Sequence, residues 1–149
     1  MLKIFDFGLA KELDPRQKQQ DGQYKMSGAT GSRRYMAPEV SLSQPYSLSA
    51  DVYSFGILLW EVMSFEKAFW DLSIDQHKEE VIRGDRRPKL SKQWSQLLHN
   101  LLECCWHNDS LHRPVMQQIS KTLQQELSAY SQANKIPWPP LQISRRGSM

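Results

Sequence analysis

The chain has 149 residues, 40% of them hydrophobic, and a formal net charge of +3. A compact domain of this length buries about 70% of the surface its unfolded chain exposes, so one sizeable core is within reach. Lys135, Arg145 and Arg146 supply the whole charge excess, because the rest carries sixteen basic and sixteen acidic side chains, and no face is forced to be a nucleic-acid stripe.

Residues 2–5 predict a short strand. From about residue 9 to 31 the sequence is polar, rich in Lys, Gln and Ser, and without periodicity, which predicts a long loop of the kind that is usually functional. Ser49 is the expected N-cap of a helix over about residues 50–64. Its apolar residues Val52, Phe55, Leu58, Leu59, Val62 and Met63 go nearly all the way round at 3.6 residues per turn, which predicts a central, buried helix. The apolar run "VYSFGILLWEVM" at 52–63 is bounded by Asp51 and contains Glu61, and it falls short of the roughly 20 residues that a bilayer requires.

Ser73 with Gln76 forms a capping box for a helix over about 74–83, stopped by Gly84. Trp94, Leu97, Leu98, Leu101, Leu102 and Cys105 mark a helix over about 92–105. Pro114 opens another over about 114–129, with Val115, Ile119, Leu123 and Leu127 as its inner stripe. From residue 131 periodicity is lost in the Pro-rich, basic tail, whose "PWPP" reads as linker before it reads as a ligand for an SH3 or WW groove. Cys104, Cys105, His107 and His112 make a poor tetrahedral template for zinc, with Trp106 between them reading as core. The adjacent cysteines cannot close a loop with each other, and with no secretory leader a reducing cytoplasm is the expected setting.

Four motifs recur in a telling order: "DFG" at 6–8, "GSRRYMAPE" at 31–39, "SADVYSFGILLWEV" at 49–62 and "CWHNDSLHRP" at 105–114. Together they resemble the C-terminal lobe of a eukaryotic protein kinase, most similar to tyrosine-kinase-like kinases with serine/threonine specificity. The resemblance covers residues 2 to about 128. It implies a mainly α, protein kinase-like fold: a helical C-terminal lobe from the DFG strand onward over residues 1–130, then a tail over 131–149.

The resemblance also implies roles. Asp6, with Phe7 and Gly8, would stand at the cofactor site, Asp6 holding Mg²⁺ against the phosphates of ATP. Residues 6–39 would be the activation segment, with Thr30 and Ser27 as acceptors for an upstream kinase, Thr30 favoured and Ser32 a further hydroxyl. Ser32 and Arg34 would belong to the substrate loop, Ser32 standing where tyrosine kinases carry proline. Glu39 would pair with Arg113. Asp51 would hold the catalytic loop's backbone, and it is also a carboxylate favoured by the dipole at a helix N-terminus. Tyr53, where tryptophan is usual, and Ser110, where proline is common, depart from the pattern.

The family's G-x-G-x-x-G loop, V-A-I-K lysine, its glutamate partner and the H-R-D-x-x-x-x-N loop are not in these 149 residues, and His112-Arg113 runs into Pro114. With no catalytic base, this chain alone is expected to bind ATP and Mg²⁺ weakly or not at all and to transfer no phosphate. Two readings follow: the C-terminal part of an ATP- and Mg²⁺-dependent kinase that phosphorylates protein Ser/Thr when whole, or a non-catalytic half-kinase that binds proteins. The expected partners are a protein substrate and an upstream kinase, with neither nucleic acid nor membrane. An exposed apolar patch is expected near residues 2–10 and the start of the central helix.

Overall fold

A computed structural model describes residues 6–26, 28 and 31–134. The expected strand at 2–5, the hydroxyls of Ser27 and Thr30, and the tail from 135 onward lie outside the described residues. Among the described residues, five α-helices follow in order: α1 (Pro38–Ser41), α2 (Ser49–Ser64), α3 (Ile74–Gln76), α4 (Gln96–Cys105) and α5 (Met116–Asn134). Among the described residues there is no strand, only the isolated bridges of Tyr24 with Lys18 and Tyr46, so the mainly α expectation holds.

Helix α2 begins at Ser49 because the Ser47 hydroxyl accepts the Ser49 amide (3.3 Å) and lies 2.9 Å from the Ser49 hydroxyl. The capping oxygen is therefore two residues earlier than the sequence pattern suggests. Val52, Tyr53, Ile57 and Trp60 bury one face of α2, and Leu98, Leu101, Leu102 and Cys105 of α4 join them in the core. Gly56 allows this approach, since a Cβ there would stand 2.8 Å from the Cys105 Cβ, inside any normal carbon contact.

The opposite face is open, contrary to the expectation of burial all round. Leu58, Val62 and Met63 are 49%, 60% and 39% exposed. The named elements packed most closely on α2 are α4 and the turns Arg33–Tyr35 and Ser110–His112, and the stripe stays open among the described residues. Phe7 and Leu9 are exposed, but Val52 at the start of α2 is buried. Leu48 at the N-cap of α2 is nevertheless 68% exposed, so apolar surface is open at the start of the helix as expected, and a second stretch is open on its C-terminal half.

The capping box forms: the Ser73 hydroxyl accepts the Gln76 amide (3.2 Å) and the Gln76 side-chain oxygen accepts the Ser73 amide (2.9 Å). Beyond α3 the helix widens into a π stretch, His77–Ile82. Gly84 follows without a left-handed φ; it is there for space, because a Cβ would meet the Glu80 carbonyl at 2.5 Å. Helix α4 starts at Gln96, where the Ser95 hydroxyl accepts the Leu98 amide (3.1 Å), while Trp94 precedes it and packs half-buried on the core. In α5, Ile119 is buried and Leu123 packs against the core, whereas Val115 precedes the helix and is exposed. The helix continues through residues 131–134, which the sequence pattern assigns to the tail.

Cys104 is exposed and Cys105 buried. Burial first, and the neighbouring Cys104 second, push the Cys105 thiol up to about 12 from an ordinary 9.0. Iodoacetamide at about pH 8 should therefore label one thiol in the native chain and both in urea, read by mass. The folded state keeps the Cys105 proton where the unfolded chain has lost it. The contribution of Cys105 to stability is thus fully present below about pH 9 and falls by up to about 1.4 kcal/mol per pH unit as pH rises from there towards 12, measurable from urea midpoints.

Candidate functional site

Asp6 takes a left-handed backbone conformation (φ 64°), which a short polar side chain tolerates. Its Oδ1 accepts the Gly8 amide (3.3 Å) and the Phe7 carbonyl accepts the Ala10 amide (3.0 Å). The result is a tight turn whose residues 6–8 are all exposed. No group of three or more His, Cys, Asp or Glu side chains among the described residues could hold a metal ion. Asp6 fits Mg²⁺ as a single carboxylate donor, since that cation takes one or two carboxylates and completes its shell with water and phosphate.

Downstream, the segment is tied to the domain by reciprocal backbone bonds between Tyr24 and Tyr46 (2.9 and 3.1 Å). It then reaches the 3₁₀ turn Arg33–Tyr35, with Ser32 exposed at its N-cap and its side chain accepting no capping bond. This turn is strapped to α2. The Ser54 hydroxyl donates to the Tyr35 carbonyl (2.7 Å), and the Tyr35 hydroxyl donates to Glu61 Oε2 (2.6 Å). Glu61 Oε1 accepts the Ala68 amide (2.8 Å), and the Arg34 guanidinium donates to the Ala68 carbonyl. The bond to Glu61 raises the Tyr35 phenol above its ordinary range.

Behind the turn, α1 carries Glu39 to Arg113. The pair is bidentate, Nη1 to Oε1 at 2.6 Å and Nη2 to Oε2 at 2.8 Å, with both residues buried. Arg113 also donates to the carbonyls of Ser49 (3.0 Å), His107 (2.8 Å) and Asn108 (3.3 Å), so all five of its N–H groups are used. The Tyr53 ring lies under two guanidinium groups, 5.2 Å from Arg113 and 5.4 Å from Arg87. Its hydroxyl is buried without a partner, and burial raises its pKa. The tyrosine ring is thus fully buried at the cost of stranding one polar atom. Ser110 opens a short turn capped by Asp109, which accepts the Leu111 amide (2.9 Å).

Ser32, Arg34, Glu39 and Arg113 therefore share one frame around the start and middle of α2. Asp51 sits in the first turn of that helix and is exposed. The bonds of the Asp6 turn are local. Arg34 is half-buried, its guanidinium committed to a backbone carbonyl rather than offered to solvent with Ser32. The residues that the sequence pattern does not single out are Tyr35, Ser54 and Glu61. One signal was available: Glu61 is a charge inside an apolar helix, and such charges persist when they are bonded.

A family model described as protein tyrosine and serine/threonine kinase matches residues 1–123. The chain is 37% identical over 123 residues to the dual specificity protein kinase shkB of Dictyostelium discoideum, covering 81% of the chain and 18% of that relative. It is 37% identical over 125 residues to the serine/threonine-protein kinase STY46 of Arabidopsis thaliana, covering 84% and 20%. It is 32% identical over 148 residues to mitogen-activated protein kinase kinase kinase 7 of Bos taurus, covering 99% and 24%. The chain thus spans between 18% and 24% of the length of these relatives.

Proposed function

Because the chain belongs to the protein tyrosine and serine/threonine kinase family, we propose that it is the C-terminal part of an ATP- and Mg²⁺-dependent domain that phosphorylates serine and threonine in proteins. The observation that carries this reading is the anchored turn at Arg33–Tyr35. It holds the Ser32 hydroxyl exposed while Tyr35 and Glu39 tie its base to α2 and Arg113. A loop that reads substrate must be fixed relative to the phosphate donor, because positioning supplies much of the rate in phosphoryl transfer.

In the whole domain, Asp6 supplies one carboxylate to Mg²⁺, held ready by its turn. When bound, that cation neutralises charge on the transferring phosphoryl group. Ser32 and Arg34 shape the substrate loop, and Thr30, with Ser27 second, accepts regulatory phosphate from an upstream kinase. Asp51 steadies the catalytic loop from the first turn of α2. No helix among the described residues is long and apolar enough to cross a membrane, and the cytoplasm is the proposed setting.

The test is transfer of radioactive γ-phosphate to a general protein substrate. The 149-residue chain alone should give no label and no ATP-dependent rise in melting temperature. Joined to the upstream half of a kinase domain from one of its relatives, it should label serine and threonine, and Asp6→Ala should cut that rate by at least about a hundredfold. Label from the chain alone, or label confined to tyrosine, would overturn the reading. The open face of α2 at Leu58, Val62 and Met63 favours a second reading, a non-catalytic half-kinase that binds proteins. An inactive joined domain whose isolated C-terminal part still captures a protein through that face would support it.

A further inference from the structure

A groove of about 890 Å³ opens between the C-terminal half of α2, the loop at 65–72 and the segment at 86–94. Trp60 and Trp94 form its inner side, and the Trp60 indole donates to the Lys89 carbonyl (3.0 Å), pinning the 86–94 segment against α2. Met63 and Trp70 stand at the rim, Trp70 74% exposed. An aromatic floor with an exposed tryptophan at its edge is the form of a pocket for one large apolar side chain.

The charge around it is lopsided. Five cations line the groove against two carboxylates, in a domain whose described residues carry fifteen basic and sixteen acidic side chains. Arg86 is neutralised by Asp71 (2.5 Å) and Glu80 (2.6 Å). Arg87 is held by the neutral carbonyls of Trp106 (2.9 Å) and Val81 (3.1 Å) and by the Asn108 side chain. Lys67, Lys89 and Lys92 are exposed and form no ion pair among the described residues, with Glu66 the one groove carboxylate left to oppose them.

We propose that this groove docks an acidic peptide segment of a partner protein, carrying a tryptophan- or phenylalanine-sized side chain between Trp60, Trp70 and Trp94 and meeting Lys67, Lys89 and Lys92 with its carboxylates. Lysines act as point charges that suit flexible carboxylates, whereas the two arginines able to fork onto phosphate are already committed to the protein's own oxygens. The slightly acidic remainder of the domain also disfavours a polyanion long enough to track across it. The inference is independent of the kinase reading, because binding requires no nucleotide.

The experiment is fluorescence anisotropy with the 149-residue chain and a fluorescein-labelled peptide of alternating glutamate and aspartate around one central tryptophan. Saturable binding is expected, weakening as salt rises. Lys89→Glu with Lys92→Glu should weaken it by roughly tenfold or more. Trp70→Ala, or alanine in place of the peptide's tryptophan, should each weaken it by roughly tenfold. These positions are exposed, and an unchanged thermal melt will verify that each variant is folded. Absence of binding, equal binding by the lysine variant, indifference to the peptide's tryptophan, or tighter binding of a thymidine oligonucleotide would each overturn the proposal.

Discussion

Arg113→Met is expected to cost the chain about 3–5 kcal/mol of folding stability, read as a shift in the urea midpoint. Two losses add. Glu39 is left in a buried site without its counter-charge, and the carbonyls of Ser49, His107 and Asn108 lose their donor. Against a total of about 5–15 kcal/mol for a typical domain, that leaves little margin. Replacing both partners, Glu39→Leu with Arg113→Met, should cost less than the two single changes summed, because no stranded charge remains. Strict additivity would show instead that Arg113 acts through its carbonyl bonds alone.

Glu61→Ala should cost about 2–3 kcal/mol, since it removes two hydrogen bonds to a charged acceptor and leaves the Tyr35 hydroxyl and Ala68 amide without a partner. Its second consequence is local. With the Tyr35 anchor gone, amide hydrogen exchange over the turn Arg33–Tyr35 should rise well above that of α4, which shares none of these bonds. An unchanged exchange pattern would mean that Ser54, donating to the Tyr35 carbonyl, holds the turn unaided.

Local chemistry was legible wherever one residue acts on its near neighbours. The Ser73–Gln76 box could be read directly because its two bonds connect residues three apart. The π stretch after it could not, because a 3.6-residue period in His77–Ile82 gives no warning of a wider turn. The apolar residues of α2 announced a helix, yet Leu58, Val62 and Met63 turned out exposed. Hydrophobicity reports what a side chain prefers, not which neighbour is present to satisfy it. Glu39 and Arg113, 74 positions apart, became connected only through motif resemblance. Tyr35 and Glu61, 26 positions apart, had no comparable guide, and polar contacts of that span leave no periodic trace.

Glu61 has one oxygen on Tyr35 and the other on Ala68. What that position specifies is therefore reach as much as charge. Aspartate would preserve the anion but shorten the side chain by one methylene, so the same group could no longer span both loops from the helix.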